Sequence, residues 1–518
     1  MAMDRTGRWI IAAVLVAAAF AMAFRVGLLG APGEFDEFYH LLAARGLVET
    51  GHPAILEGEY RRGLLFTRMI AGLFELTGRN GLGTARLISV LAGAAIPALL
   101  VLWVARAAGP WPAALAGLFA VLWPQAIIEA QLARFYAFHV LFFLAGAIAM
   151  YAATVSILAG KRARGLAFAL LGVLCWGVAL RLQVVTIIGI AAVLSGAAAL
   201  SVPRVATTRS RALALAVLVI AAAAGALAVA ILTDLGAKAV AFYRWTPEHA
   251  AALRNYQGFY FDQMERGWGL LWYVTPLLAL AAFRVRPGLT VYCGLAFAVC
   301  FVVHSFGGMK ALRYLSYAMP FLFVIWGLGL SAMAAGVARR FGGRGRAATL
   351  AVAMIVILLA TPFGSRSLEL AAGRGLPARG DWRGAAEVVR DWADAPFVVT
   401  TRELHHLAHL GAYDLLFSPS RVSELSPPRD FGRDTRTGRP VIGTAAAWSA
   451  VLGCEPDGLL VTSPHFWRTR GWAERLVPPL AARGYAVEIR EAGAVLALRW
   501  RSTAPRGAEC DDLVAPPS

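Results

Sequence analysis

Long apolar runs fill the first two thirds of the chain, and many have the length of a helix that crosses a bilayer. Such a helix needs about 20 predominantly apolar residues. We therefore predict about eleven transmembrane helices, bounded by the polar residues at the ends of each run. They lie near residues 8–28, 84–105, 111–128, 135–158, 165–180, 183–200, 212–232, 269–283, 289–303, 314–335 and 347–362. The first is expected to be retained, because Phe24 to Gly27 lacks a clear small-x-small pattern of a signal-peptide cleavage site.

Charged residues alternate in sign from one connecting loop to the next. Basic residues occupy every second loop, at Arg5, Arg8, Arg106, Lys161 to Arg164, Arg204 to Arg211, Arg284, Arg286 and Arg339 to Arg346. Acidic residues occupy the other loops, at Glu34, Asp36, Glu37, Glu57, Glu59, Glu129, Asp234 and Asp262. Loops rich in Lys and Arg stay in the cytoplasm. With the N-terminus cytoplasmic and an odd number of spans, the C-terminal region is predicted to lie outside.

Two regions differ from the apolar pattern. The first external loop, residues 29–83, is long for a connector, and loops of that length are usually functional. Its end, residues 61–78, has the spacing of a helix lying in the membrane interface. Residues 363–518 read as a small α/β domain, with helices at 380–393 and 467–483 and strands at 396–401, 457–462, 485–490 and 494–500. Residues 421–440 read as a loop. The predicted domains are thus a membrane core, 1–362, and an external α/β domain, 363–518.

Composition supports this fold class. Of 518 residues, 59% are hydrophobic and only 15% are charged, whereas soluble domains average about 25% charged residues. The net charge is +18, and residues 363–518 contribute little of it, with 19 Arg against 18 Asp and Glu. The basic excess therefore belongs to the membrane part, where it sets topology. The sequence has no alternation of aromatic and basic residues of the kind that would indicate a nucleic-acid partner.

The five cysteines show no metal-binding spacing. Cys175, Cys293 and Cys300 lie in apolar runs and are interpreted as core residues. Cys454 and Cys510 are the only cysteines of the region placed outside, where an oxidising compartment permits a disulfide between them. Two unpaired thiols are the alternative.

Polar side chains gather in four stretches on the predicted external face. These are Glu34 to His40, Glu57 to Arg62, Glu129 to Tyr136 and His304 to Pro320. Charged groups at a membrane boundary are costly and are usually kept for function. Any one stretch alone could be a polar loop that faces water.

Three of these stretches resemble motifs of the GT-C glycosyltransferases, the group that includes protein O-mannosyltransferases and lipid A aminoarabinose transferases. Asp36-Glu37 resembles the acidic motif of their first loop. Ala133 to Phe138 resembles their Ala-Arg-x-Tyr segment, and Arg313 to Pro320 their Arg-Tyr-Leu-x-Pro-x-x-Pro segment, although the first proline is Tyr317 here. The resemblance implies a polytopic fold, with a polyprenyl-phosphate-linked sugar as donor and a lipid, glycan or protein as acceptor.

The chemistry of glycosyl transfer predicts a role for residues of these motifs. Transfer needs a carboxylate that deprotonates the incoming hydroxyl, a role for Asp36 with Glu37 as the second choice. It also needs cations that hold the donor phosphate as it leaves, and Lys310, Arg313 and Arg134 are the candidates. For Lys310 and Arg313 the alternative is that each long side chain reaches the interface from a helix end.

The remaining candidates are less specific. Glu59, Glu129 and Tyr136 could contact the substrate or a divalent ion, and the glutamates could instead pair with Arg62 or Arg134. His40 and His304 could join a metal site but are equally compatible with plain polar positions.

The sequence thus predicts a multi-pass protein of the bacterial inner membrane with a periplasmic α/β domain. The predicted activity is transfer of a sugar from a polyprenyl phosphate to a periplasmic acceptor. One alternative is a lipid or sugar-lipid flippase, although no paired broken helices of an internal repeat are visible. Another is a membrane-anchored binding module, which leaves the loop carboxylates unexplained.

Overall fold

A computed structural model describes the chain in residues 5–205, 207–208, 210, 237, 240, 256–340, 345–374, 380–392, 394–422 and 430–502. The predicted span at 212–232 lies outside these residues. The fold divides into two compact units that interleave along the chain. One comprises Met1–Leu29 and Leu87–Gly375, and the other comprises Gly30–Arg86 and Leu376–Ser518. The predicted domains, 1–362 and 363–518, are each continuous in sequence. In the structure, the first external loop instead belongs to the same compact unit as the C-terminal region.

Within the described residues, helices form most of the chain up to residue 371. In chain order they are α1 (Arg5–Ala23), α2 (Phe35–Thr50), α3 (Leu64–Thr77), α4 (Leu82–Ala108), α5 (Pro110–Leu122), α6 (Pro124–Ala130), α7 (Tyr136–Leu158), α8 (Arg162–Leu182), α9 (Thr186–Val205), α10 (Phe259–Trp268), α11 (Leu270–Tyr273), α12 (Thr275–Val285), α13 (Pro287–Phe306), α14 (Met319–Arg340), α15 (Arg346–Ala360) and α16 (Pro362–Ala371). A short 3₁₀ turn, Leu312–Tyr314, precedes α14. Helices α2 and α3 belong to the second unit.

Six helices of the described chain, α4, α7, α8, α9, α13 and α14, are long and apolar enough to cross a membrane. The pair α5 and α6 adds a seventh if it forms one span. The polytopic helical fold is therefore confirmed. The predicted count of about eleven stays a prediction, because the runs near 8–28 and 269–283 contain apolar helices shorter than a span.

The outward faces of these helices are apolar. On α8, Leu166, Leu170 and Leu174 repeat every four residues and expose 66%, 61% and 60% of their surface. Residues at that spacing lie on one side of a helix. A soluble protein rarely leaves such a stripe uncovered, whereas lipid tails cover it without cost. Exposed apolar side chains here therefore indicate contact with the bilayer.

One predicted span, residues 111–128, is broken. Helices α5 and α6 meet at a 60° bend between Leu122 and Pro124. Proline lacks the amide hydrogen that would continue the ladder, so carbonyls of the preceding turn lose their partners. The buried Arg25 guanidinium donates to two of them, Ala120 O at 3.1 Å and Val121 O at 3.2 Å. The Ser367 hydroxyl donates to Leu122 O. These donors make the break tolerable in an apolar surrounding.

The second unit combines α2, α3, a short hairpin and a mixed sheet. The hairpin strands are β1 (Ala54–Ile55) and β2 (Gly58–Glu59). The sheet strands are β3 (Val398–Thr400), β4 (Leu415–Phe417), β5 (Phe431–Arg433), β6 (Pro440–Ile442), β7 (Asp457–Thr462), β8 (Ala486–Ala492) and β9 (Val495–Arg501), in the order β5-β6-β4-β3-β7-β9-β8. Strands β6, β4, β3 and β7 run parallel to one another, while β5, β9 and β8 pair antiparallel at the two sides.

Helices cover both faces of this sheet, as a buried parallel core requires. They are α17 (Trp382–Val389), α18 (Glu403–His409), α19 (Pro419–Val422), α20 (Ala445–Cys454), α21 (Pro464–Thr469) and α22 (Trp472–Ala482). One apolar cluster includes Trp448, Leu476 and Trp500, and a second includes Trp382 and Val389. The α/β domain and its four predicted strands are confirmed.

One helix was not predicted, and one local prediction was wrong. The first external loop contains a sixteen-residue helix, α2, in addition to the expected helix α3. The stretch 421–440, predicted to be a loop, contains β5 and the start of β6. Strand β5 has only three residues, Phe-Gly-Arg, at the edge of the sheet, so its sequence carries no alternation that could reveal it.

We predict that Arg25→Met lowers the free energy of unfolding by about 2–4 kcal/mol, because two buried carbonyls lose their donor. Chemical unfolding in mixed detergent micelles measures this loss. The matched control is Arg366→Met, which removes only an exposed pair with Glu369 and should cost less than about 0.5 kcal/mol. Equal stability of the two variants would contradict the proposed role of Arg25 at the helix break.

Candidate functional site

The first turn of α2 carries the acidic motif and is closed by reciprocal capping. The Glu34 side chain accepts from the backbone of Glu37, and the Glu37 side chain accepts from the backbone N–H of Glu34 at 2.7 Å. Such a capping box satisfies two amides that a helix start leaves unpaired. Asp36 lies inside this turn and is half-buried.

Glu37 is committed to a buried ion pair with Arg86 of α4. Nε and Nη2 of Arg86 donate to the two carboxylate oxygens at 2.8 Å each, and both side chains are fully buried. Arg86 also donates to the carbonyls of Ala31 and Pro32, at 2.7 and 3.2 Å. This bidentate arrangement holds the turn that precedes α2. It gives Glu37 a structural role and makes Asp36 the better candidate for a base.

Other candidates in this unit have local partners. Glu59 pairs with Arg61 at 2.6 Å, rather than with the expected Arg62, and 38% of its side chain is exposed. His40 shares a hydrogen bond with the buried Thr67 hydroxyl at 2.9 Å. His40 therefore connects α2 to α3, a polar packing role.

In the helical unit, Glu129 of α6 meets the segment before α14. Its Oε1 accepts from Ser316 Oγ at 2.6 Å and from Gln125 Nε2 at 2.8 Å, and the residue is 3% exposed. Arg313 and Arg134 both act on this carboxylate electrostatically. The structure therefore brings together residues from two of the sequence motifs, 129–136 and 313–320.

Tyr136 is the aromatic centre of that cluster. Arg134 Nη2 donates to its hydroxyl at 3.2 Å, and the Arg313 guanidinium lies 5.6 Å from the centre of its ring. Arg313 also lies 5.4 Å from the Tyr314 ring. Guanidinium groups commonly rest on aromatic faces. Arg134 and Arg313 are thus two cations around one ring.

Lys310 lies in the segment between α13 and the 3₁₀ turn. Its ammonium donates to the Gly307 carbonyl at 2.5 Å, and the residue is 3% exposed. Burial lowers the pKa of Lys310. These contacts hold Lys310 against its own loop, so it is a weaker phosphate candidate than Arg313. His304 shares a hydrogen bond with the Tyr317 hydroxyl at 2.8 Å, which accounts for both residues structurally.

No metal site is established by these contacts. In the described part of the chain, no group of three or more His, Cys, Asp and Glu residues could hold a metal ion. Cys454 is buried at the end of α20, and Cys510 lies outside the described residues. The disulfide between them stays a prediction.

Sequence reasoning did not select Arg86, Gln125 or Ser316. Arg86 had a usable signal, since an arginine just inside an apolar run must find a partner. Gln125 and Ser316 had none, because a single amide or hydroxyl beside an apolar run is common. Only the fold reveals that both donate to Glu129.

Comparison with known proteins gives a fold assignment. No protein-family model and no curated protein sequence matches the chain. Solved structures do. ArnT from Cupriavidus metallidurans in the apo state matches with a TM-score of 0.58 and 15% identity, over 96% of this chain and 98% of that one. ArnT bound to undecaprenyl phosphate gives 0.57 and 14%, over 99% and 100%.

A second kind of transferase also matches. The archaeal oligosaccharyltransferase AglB from Archaeoglobus fulgidus, in complex with an inhibitory peptide and a dolichol-phosphate, gives a TM-score of 0.60 and 12% identity, over 94% of this chain and 74% of that one. ArnT and AglB are both GT-C proteins. This chain has the GT-C fold. The resemblance seen in three short motifs is thereby confirmed at the level of the fold.

We predict that the second unit loses stability on acidification because of His405 in α18. Burial, with smaller effects from Arg402 and His409, lowers the pKa of His405 to about 3. Its unfolded value is about 6.5, so between these values the unfolded chain binds the extra proton. Stability should therefore fall as pH falls, by about 2 kcal/mol between pH 7 and pH 5.

The variant His405→Phe keeps an aromatic ring between Phe35, Phe38 and Trp382 but cannot be protonated. Urea unfolding at pH 7, 6 and 5 should show that it loses about 2 kcal/mol less than the wild type over this range. The exposed His465→Gln is the control and should retain the wild-type pH dependence. Parallel curves for wild type and His405→Phe would show that this histidine does not carry the effect.

Proposed function

We propose that the protein is a membrane glycosyltransferase that moves a sugar from a polyprenyl-phosphate donor to an acceptor at the periplasmic face of the bacterial inner membrane. The observation that carries this proposal is the likeness to ArnT over 96% of the chain and 98% of ArnT. Both ArnT and AglB were solved with a polyprenyl phosphate, undecaprenyl phosphate and a dolichol-phosphate respectively. That common ligand supports a lipid-linked donor here.

Asp36 is the proposed general base. It is an acid in the first turn of α2 and is half-buried, whereas its neighbour Glu37 is fully buried in its pair with Arg86. The carboxylate takes the proton of the acceptor hydroxyl as the acceptor oxygen forms its bond to the anomeric carbon. Deprotonation makes the hydroxyl a competent nucleophile at the moment of attack.

Arg313 and Arg134 are the proposed partners of the leaving phosphate, with Lys310 as a third candidate. As the bond between the anomeric carbon and the phosphate oxygen breaks, its electron pair stays on the phosphate. Guanidinium groups stabilise that growing charge, and their planar fork matches two phosphate oxygens. Attack opposite the leaving group in a single displacement inverts the anomeric configuration. The products are the glycosylated acceptor and the free polyprenyl phosphate.

Glu129, Tyr136 and Glu59 receive supporting roles. Glu129 joins α6 to Ser316, so it orders the segment that carries Arg313. Tyr136 supplies the ring on which both arginines rest. Glu59 remains a candidate for contact with sugar hydroxyls, because part of its carboxylate is exposed beside Arg61. No step of this mechanism is assigned to a metal ion.

The overall test compares lipids and glycans extracted from cells with and without the gene. A transferase predicts loss of one sugar from an acceptor and accumulation of its polyprenyl-phosphate donor. A flippase would instead move a labelled lipid-linked sugar across liposomes containing the purified protein, with no glycosylated product. Liposome transport without product would overturn the proposal.

We predict that Asp36→Asn abolishes transfer, leaving less than a few per cent of the wild-type rate, because the amide keeps the size but cannot accept the proton. Steady-state transfer by the purified variant measures this. The matched control is Glu49→Gln, which removes an exposed acid from the same helix and should retain full activity. Substantial turnover by Asp36→Asn, with an unchanged unfolding midpoint, would remove Asp36 from the role of base.

We also predict that Arg313→Ala weakens use of the lipid donor more than Lys310→Ala does. The Arg313 fork suits a phosphate, while the Lys310 ammonium is already bonded to Gly307 O. Donor titrations should show the KM rising by roughly tenfold for Arg313→Ala and by less for Lys310→Ala. The exposed Arg366→Ala serves as the charge control. An unchanged donor KM for Arg313→Ala would argue against a phosphate contact.

A further inference from the structure

Helix α2 is joined to the sheet domain through the hydroxyl of Tyr39. Arg421 Nη2 donates to this oxygen at 2.8 Å, and Arg436 Nη1 donates to it at 2.7 Å. Tyr39 is 4% exposed, and its ring stacks on Tyr60 with centroids 4.6 Å apart. Two charge-assisted bonds to one buried hydroxyl are stronger and more directional than neutral hydrogen bonds. Tyr39 follows Asp36 by three residues, so both lie within the first turns of the same helix.

Acids of the sheet domain hold Arg421 in turn. It lies 3.2 Å from Glu403 and 3.8 Å from Asp434, and both carboxylates are buried. Asp434 also accepts from the backbone N–H and the hydroxyl of Thr437, at 3.1 and 2.8 Å. The network therefore contains two arginines and two acids, and buried charges persist when they are balanced and hydrogen-bonded in this way.

Apolar contacts act on the same face of α2. Phe38 lies edge-on to His405 and His409, with centroids 4.9 and 5.5 Å apart, and Phe35 stacks on His405 at 5.7 Å. Residues 35, 38 and 39 are spaced i, i+3 and i+4, which places them on one side of a helix. That side of α2 thus packs on α18 and its neighbours in the sheet domain.

The loop that carries Arg436 is itself held against the hairpin of the first external loop. A Cβ on Gly58 would lie 2.5 Å from the backbone of Arg436, and one on Gly438 would lie 2.7 Å from the backbone of Glu57. Arg439 pairs with Glu57 at 3.0 Å. Only glycine permits such close backbone approach. Arg436 is therefore presented from a tightly packed turn.

We propose that Arg421 and Arg436 are positioning residues for the reaction: through Tyr39 they set the orientation of the helix that carries Asp36. The sheet domain is then part of the catalytic machinery, and residues 30–86 and 376–518 act as one functional unit. The predicted effect on the transfer rate rests on the proposed function, whereas the orienting contacts themselves do not. Misplacement of a catalytic group by about 1 Å can cost roughly 100-fold in rate, so a distant orienting contact has a large effect.

A double-mutant cycle tests the inference. Tyr39→Phe removes the hydroxyl and keeps the ring stacked on Tyr60, while Arg436→Gln removes the cation. Each should lower kcat by roughly tenfold with little change in the donor KM, and the double variant should be no worse than either one. Independent structural damage would instead give losses that multiply. Arg468→Gln is the control, since it breaks only an exposed pair with Glu491 in the same domain.

Hydrogen exchange of the amides of α2 provides a readout that needs no activity. Both single variants should speed exchange over residues 35–50 relative to the wild type and the Arg468→Gln control. Unchanged exchange, or losses in kcat that multiply in the double variant, would overturn the positioning role. Faster exchange in a protein that transfers no sugar would support the contact and refute the proposed function, so the two failures are distinguishable.

Discussion

The buried ion pair between Glu37 and Arg86 is the interaction on which the candidate site depends. Two fully buried charges are costly unless each is paired and its remaining polar atoms are bonded. Here Arg86 binds both oxygens of Glu37 and the carbonyls of Ala31 and Pro32. Few backbone arrangements satisfy so many donors at once. The turn into α2 is therefore defined, and with it the place of Asp36 on the helix.

The helical unit meets the same constraint by another route. A chain that leaves water must find an internal partner for every backbone polar group. The bend at Pro124 leaves carbonyls of α5 without a partner in their own helix. The side chains of Arg25 and Ser367, which are distant in sequence, donate hydrogen bonds to them. The bend in turn directs α6, so that Glu129 reaches Ser316 in the segment before α14. A local irregularity thus aligns two distant motifs.

Prediction from sequence succeeded where one physical signal dominates. Apolar runs identified the spanning helices and the buried strands β7 and β9, because burial dominates those elements. Helix α2 was not predicted from the sequence because both of its sides are buried against different partners. Its sequence therefore has no single apolar stripe. Its charged residues, Asp36, Glu37, Arg45 and Glu49, resemble those of a solvated loop. Three acids close together in sequence led us to predict a reactive site, which stays a prediction, but they did not reveal the helix that presents them.

The arginines show why the site could be only partly assigned from sequence. Every arginine is charged and carries five donors, so composition cannot separate one that binds substrate from one that holds the fold. Internal groups accept from three of these arginines: backbone carbonyls from Arg25, a carboxylate from Arg86 and a tyrosine hydroxyl from Arg421. Arg134 and Arg313 instead lie over the aromatic ring of Tyr136, with their guanidinium carbons 4.8 and 5.6 Å from its centre. The partner that each arginine meets, which only the fold determines, separates structural cations from candidates for a phosphate.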